Sequence, residues 1–112
     1  MAGENGIEGL VERGRDARSA GDSFGAALLF HQARVRAVQQ GLQGDEVLSL
    51  LIQEAMSATD AGLFDQATEA LDELDRVAGP TAPAWLAAQA RLARSAVLDA
   101  RARVQNGREK TR

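Results

Sequence analysis

The stretch Ala61-Gly62-Leu63-Phe64-Asp65-Gln66-Ala67, followed by Ala70, Leu71 and Leu74, has an earlier counterpart. Ala20-Gly21-Asp22-Ser23-Phe24-Gly25-Ala26, followed by Phe30 and Ala33, precedes it at a constant offset of 41 residues. Gly21 aligns with Gly62, Ala26 with Ala67, Phe30 with Leu71 and Ala33 with Leu74, while upstream Leu10, Gly14 and Ala17 align with Leu51, Ala55 and Ala58. A glycine reaches the left-handed conformation that a helix end needs, so each stretch predicts a helix, a tight corner and a second helix. Repetition of the whole unit constrains the chain to stacked helix pairs, because one such pair cannot bury its apolar face alone.

Taken in order, residues 1–6 are glycine-rich and polar, and a disordered N-terminus is expected there. Ile7, Leu10, Val11, Gly14 and Ala17 keep helical spacing and predict a first helix ending near Ala20. Asp22 or Ser23 caps a second, whose Phe24, Ala27, Leu28, Phe30, Ala33, Val35 and Val38 carry apolar character to about Gln40. Gly41 to Gly44 form a connection, with Asp45 expected as the next N-cap and a strongly apolar third helix over about Glu46 to Asp60. A fourth follows from Phe64 to about Val77, with Ala67, Ala70, Leu71, Leu74 and Val77 inward. Gly79-Pro80-Thr81-Ala82-Pro83 breaks the chain, and Pro83 stands where a first-turn proline belongs. From Ala84 to about Asn106 the stripe Leu86, Ala90, Ala93, Val97, Ala100 and Val104 alternates steps of four and three, predicting one long capping helix. Residues 107–112 are charged and are expected to form a loose basic tail. No segment alternates with period two, so the class is all-α: five helices in one domain, with paired helices over 7–40 and 46–78 and the cap over 84–106.

These residues resemble the tetratricopeptide repeat family, a helical-hairpin repeat of about 34 residues with a small-residue and aromatic signature. The first unit carries the resemblance in Leu10, Gly14, Ala17, Ala26, Phe30 and Ala33, and the second in Gly62, Phe64, Ala67 and Pro80. Continuing the register from Leu48–Thr81 places Trp85 opposite Leu51 and Leu10, where the family favours tryptophan. Departures are Ala17 and Ala58 in place of an aromatic, seven extra residues between the units, and no glycine corner after Arg94. The resemblance implies a concave surface lined by the first helix of each pair. On that register one face reads Val11, Ile52, Leu86, then Arg15, Met56, Ala90, then Arg18, Thr59, Ala93. An apolar floor with Arg15 and Arg18 at one end suits a helical or extended segment bearing an acidic residue.

Charge is unevenly spread behind a net value of -3: nine acidic and no basic residues lie between Ala37 and Asp75, whereas seven basic residues follow from Arg91 against Asp99 and Glu109. The basic end, with Val97, Arg101 and Val104, is a candidate contact for the acidic helices of a second copy. The acidic balance and the lack of a recognition-helix motif argue against nucleic acid.

Catalytic and metal chemistry find little to work with. Cysteine is absent. His31 has only Ala27, Leu28, Arg34 and Val35 as helical neighbours, so a rim histidine without an orienting acid is expected. Glu69, Asp72, Glu73 and Asp75 read as a solvated acidic face, and the serines have no base at a recognisable spacing. No cofactor or metal is expected, and no enzymatic activity. Without an N-terminal basic and apolar leader pattern or an apolar run of membrane-spanning length, a cytoplasmic protein is expected. The functional expectation is an adaptor or chaperone-like module that binds a protein segment, with self-association through the last helix as the alternative.

Overall fold

The computed structural model describes residues 6–42, 44–79 and 82–110. Among them are five α-helices and no strand: α1 (Ile7–Ser19), α2 (Ser23–Gln39), α3 (Asp45–Asp60), α4 (Phe64–Ala78) and α5 (Ala84–Lys110). Helix α1 packs on α2, α2 on α3, α3 on α4, and α5 on both α3 and α4. Of the N-terminus expected to be disordered, residues 1–5 lie outside the described residues, as does Pro80, while Gly6 is the N-cap of α1.

The two corners share their hydrogen bonds at the offset of 41. The Gly21 and Asp22 amides donate to the carbonyls of Arg18 (3.1 Å) and Ala17 (2.8 Å), and those of Gly62 and Leu63 donate to Thr59 (3.1 Å) and Ala58 (2.8 Å). This paired bonding satisfies carbonyls left orphaned at a helix end and requires positive φ at the central residue. Gly21 and Gly62 supply it, at 83° and 77°. The caps then differ: Asp22 Oδ1 accepts from the Gly25 amide at 2.9 Å, whereas its counterpart Leu63 offers no side-chain cap.

Two boundaries differ from the sequence reading, while the start of α5 at Ala84 agrees with it. Gly44, not Asp45, is the N-cap of α3, and Asp45 is the first helical residue, where its carboxylate still faces the positive end of the helix dipole. Pro83 precedes α5 and accepts the first helical bond from the Ala87 amide at 3.0 Å. Helix α5 continues past Asn106 to Lys110, because its alanines and arginines favour helix and Gly107 alone weighs against it.

The core is narrow and alanine-rich. Ala26, Ala33, Ala55, Ala58, Ala67 and Ala70 are fully enclosed, and Phe30, Leu51, Leu71, Leu74 and Leu86 fill the space between them. Burying the Phe30 ring contributes about 2–3 kcal/mol. It does so against Gly14: a methyl group added there would lie 3.0–3.2 Å from three ring atoms of Phe30. The third-register Trp85 is 47% exposed, unlike Leu10 and Leu51, since the chain supplies no further described helix to cover that side of α5. Among the described buried side-chain atoms, Ser57 Oγ is without a hydrogen-bond partner.

Two substitutions read these features with opposite signs. Gly14→Ala gains about 1 kcal/mol of helix propensity but overpacks an enclosed ring at a typical loss of about 1–3 kcal/mol, and a net fall in urea-unfolding stability is expected. Ser57→Ala removes an unpaired buried hydroxyl and is expected to raise stability by about 1 kcal/mol in the same measurement.

Candidate partner-binding site

A cavity of about 630 Å³ lies between α1 and α3. Its apolar floor is Ile7 and Val11 of α1, Ala37 and Leu42 at the end of α2, and Leu50 of α3. Its rim carries four carboxylates, Glu8, Glu12, Asp45 and Glu46, against the single cation Arg15. Among the described residues no helix precedes α1. Helix α3 has little direct packing on α1, whereas α5 sits directly on α3. The links 40–44 and 79–83 are equally long, and the seven-residue surplus lies in a longer α2 and in the additional N-terminal residues of α3. At their C-terminal ends α1 and α3 are tied by Arg18 Nη2 and Asp60 Oδ2 at 3.6 Å. The cleft therefore opens toward the helix N-termini.

This cleft is not the three-helix floor expected from the sequence. Val11 and Arg15 do line it, and Arg18 closes its far end. Ile52 and Leu86 are buried inside the core, so they form no open floor. Thr59 is also buried, its hydroxyl donating to the Ala55 carbonyl at 2.7 Å. Met56 is 40% exposed but lies outside the cleft lining. Ala90, half-buried, joins Leu86 along a separate hollow between α4 and α5 with Leu74, Ala78 and Arg94. The physical reason is the direct packing of α5 on α3 and α4, which closes the face on that side. The charge expectation also reverses, since Arg15 and Arg18 are outweighed by the carboxylates. Half-buried apolar residues on one side of the first described helix, Ile7 and Val11, are the signal that marks this site in the sequence.

The residues suggested for contact with a second copy are engaged within the chain. Val97 and Ala93 are buried beneath α5. Arg101 Nη2 donates to Asp65 Oδ1 at 3.2 Å, and its guanidinium lies 5.7 Å from the Phe64 ring centre, a cation–π contact. Arg94 Nη2 donates to Asp75 Oδ2 at 2.5 Å and reaches Asp72 Oδ1 at 3.4 Å. The basic last helix thus meets the acidic fourth helix in the same molecule. Val104 is half-exposed beside Gly62 and Phe64. On the outer side of α4, Arg76 holds the Glu73 carboxyl below the usual carboxylate range, chiefly by donating to it. An exposed pair of this kind contributes little.

A second polar cluster was hidden in the sequence. Glu54 of α3 is 1% exposed, and its carboxylate is held from two other helices. Arg34 Nε of α2 donates to Oε1 at 3.0 Å, Gln66 Nε2 of α4 donates to Oε2 at 3.2 Å, and His31 Nδ1 lies 2.9 Å from Oε2. An ionised carboxylate only accepts, so Nδ1 carries the proton and the 3.1 Å approach of Arg34 Nη2 to that nitrogen is a contact, not a second hydrogen bond. His31 does have an orienting acid, contrary to the sequence expectation, and it comes from α3 and not from its own helix. The missed signal is Glu54 itself, which stands three and four residues from Leu51, Leu50 and Ala58 on an apolar face and demands a cation there. The histidine also lines a shallow hollow with Phe24, Leu28, Leu63, Asp65, Gln66 and Glu69. None of these is a nucleophile that the histidine–carboxylate pair would activate.

The chain matches no protein family, no curated protein and no solved structure. No described helix is long and apolar enough to cross a membrane.

Removing one partner of a buried ion pair leaves an uncompensated charge. Glu54→Ala is expected to lower unfolding stability by about 3–5 kcal/mol. Adding Arg34→Met to that variant is expected to restore part of the loss. Equal stability of the single and double variants in urea titration would count against this account.

Proposed function

We propose that this chain is a tetratricopeptide-like array that binds one basic amphipathic segment of a protein in the cleft between α1 and α3, without catalysis. On this reading α1 with α2 and α3 with α4 are antiparallel hairpins, and α5 is the first helix of a third hairpin that the described chain does not complete. Support for the array comes from the identical corner bonding at Gly21 and Gly62 and from the small residues at Gly14, Ala26, Ala55 and Ala67 where paired helices meet. Without a matching relative, the family reading rests on those residues and that geometry.

The observation that carries the function is the composition of the cleft. An apolar floor between two helices accommodates the apolar face of a third, as in helix-in-groove recognition. The excess of carboxylates on the rim selects cationic flanks and repels acidic ones. This revises the partner anticipated from the sequence, a segment with an acidic residue, to one with basic residues.

Titration with synthetic amphipathic helical peptides of one apolar face and net charges of about +5, 0 and −5 tests the reading, each peptide followed by anisotropy. The basic peptide is expected to bind tightest, with affinity falling as salt screens the rim. Val11→Asp or the pair Glu8→Lys and Glu12→Lys is expected to weaken it by about tenfold or more, the size of effect seen when an anchor or a charge pair is lost. Preference for the acidic peptide, or indifference to both sets of substitutions, would sink the proposal.

A further inference from the structure

In α1 the residues that face the second helix of the pair include Leu10 and Gly14, and in α3 the same register positions are Leu51, Ala55 and Ala58, all buried. Carried into α5 by the register that aligns Trp85 with Leu51, these positions are Trp85, Gln89 and Leu92. All three are exposed, Leu92 at 72%. Around them the same side of the helix continues as Ala88, Ser95, Ala96, Asp99, Ala102 and Arg103, also exposed. The buried stripe of Leu86, Ala93 and Val97 lies on the other side, against α3 and α4. Helix α5 therefore has its neighbour-facing side filled and its partner-facing side bare.

We infer that a second copy of this chain covers this face, the two α5 helices pairing antiparallel about a twofold axis so that each lies over the other in the place of a hairpin's second helix. The inference rests on the array reading given above, because that reading identifies the bare side as the one a hairpin partner occupies. The chain itself indicates the kind of occupant: wherever else these register positions occur, an α-helix of the same chain lies over them. The face is suited to close approach, since Ala88, Ser95, Ala96 and Ala102 are small and Asp99 is the one charge between Trp85 and Ala102 on that side. Depletion of charge with an aromatic and a leucine at the centre is the composition of an interface core. Antiparallel pairing centred near residue 94 sets Leu92 against Ala96 of the second copy and Gln89 against Asp99. It also brings Arg103 to the Trp85 ring, a geometry for cation–π attraction. The pairing is isologous and closes at two subunits. It leaves the α1–α3 cleft free, and it leaves Arg94 and Arg101 in their pairs with α4. Over residues 85–103 the paired length is about 27 Å, at 1.5 Å per residue.

Trp85 is the sole tryptophan and reports its own face. Light scattering of the full chain over about 5–200 µM is expected to show mass rising from the 11.9 kDa monomer toward twice that value, with Trp85 emission shifting to the blue over the same range. Leu92→Glu is expected to abolish both changes while leaving the thermal unfolding of the dilute monomer unaltered, because its side chain touches little in the monomer. Leu98→Glu, equally exposed at 66% but off the face, is expected to leave both in place. Arg103→Glu is expected to weaken the dimer about tenfold. In a mixture of labelled and unlabelled chains, intermolecular nuclear Overhauser effects are expected between the Trp85 ring and Arg103. A chain that stays monomeric at 200 µM overturns the pairing, as does a dimer that survives Leu92→Glu. Intramolecular Overhauser contacts from the Phe30 ring to Gly14 report the first hairpin separately. A monomer that keeps them overturns the dimer alone, whereas their absence overturns the array reading itself.

Discussion

Close contact between helix backbones is the constraint on which this fold depends. Alanine and glycine at the seams bring neighbouring helices together until a single large side chain per layer, Phe30 against Gly14 or Leu71 and Leu74 beside Ala67 and Ala70, completes the packing. Dispersion forces fall off steeply with separation, so a core with few large residues holds only if its helices stay near. The glycine corners serve the same end: they reverse the chain in three residues and return the next helix to the seam with the carbonyls at the preceding helix end bonded. Composition, corner and core express one requirement.

Helix number and order were legible because they rest on local rules, namely periodicity, left-handed glycine and capping. The seam residues were legible as well, since Gly14, Ala26, Ala55 and Ala67 recur at equivalent places. What the sequence withheld depends on distances between elements. Ile52 and Leu86 share a register with Val11, yet only Val11 opens to a cleft, because α5 sits on α3 more closely than α3 sits by α1. The surplus of seven residues is visible as an offset, but not that it lengthens α2 and the start of α3 and leaves both links equally long. Glu54 escaped notice for a related reason: its partners Arg34 and His31 lie 20 and 23 residues away, and a search confined to one helix does not reach them.

Electrostatics divides the molecule into two regimes. Buried between α2, α3 and α4, Glu54 is fully hydrogen-bonded and fixes how those helices stand relative to one another, since each donor must meet the same two oxygens. At the surface, Arg94 and Arg101 reach the carboxylates of α4 across solvent-exposed pairs, which orient α5 more than they stabilise it. The carboxylates of the cleft rim lack such cations apart from Arg15, and this imbalance, more than the net charge of the chain, gives the cleft its sign.

Helix α1 has substantial packing against α2 alone, with the Arg18–Asp60 pair as its tie to α3. In a stack whose stability sums over nearest neighbours, a terminal element with one neighbour is the first to detach. One wall of the cleft is therefore a helix held almost wholly by a single neighbour, while the opposite wall, α3, packs against α2, α4 and α5. The cleft is built as a jaw whose α3 side carries the Glu54 cluster, and its width is set by how α1 stands on α2.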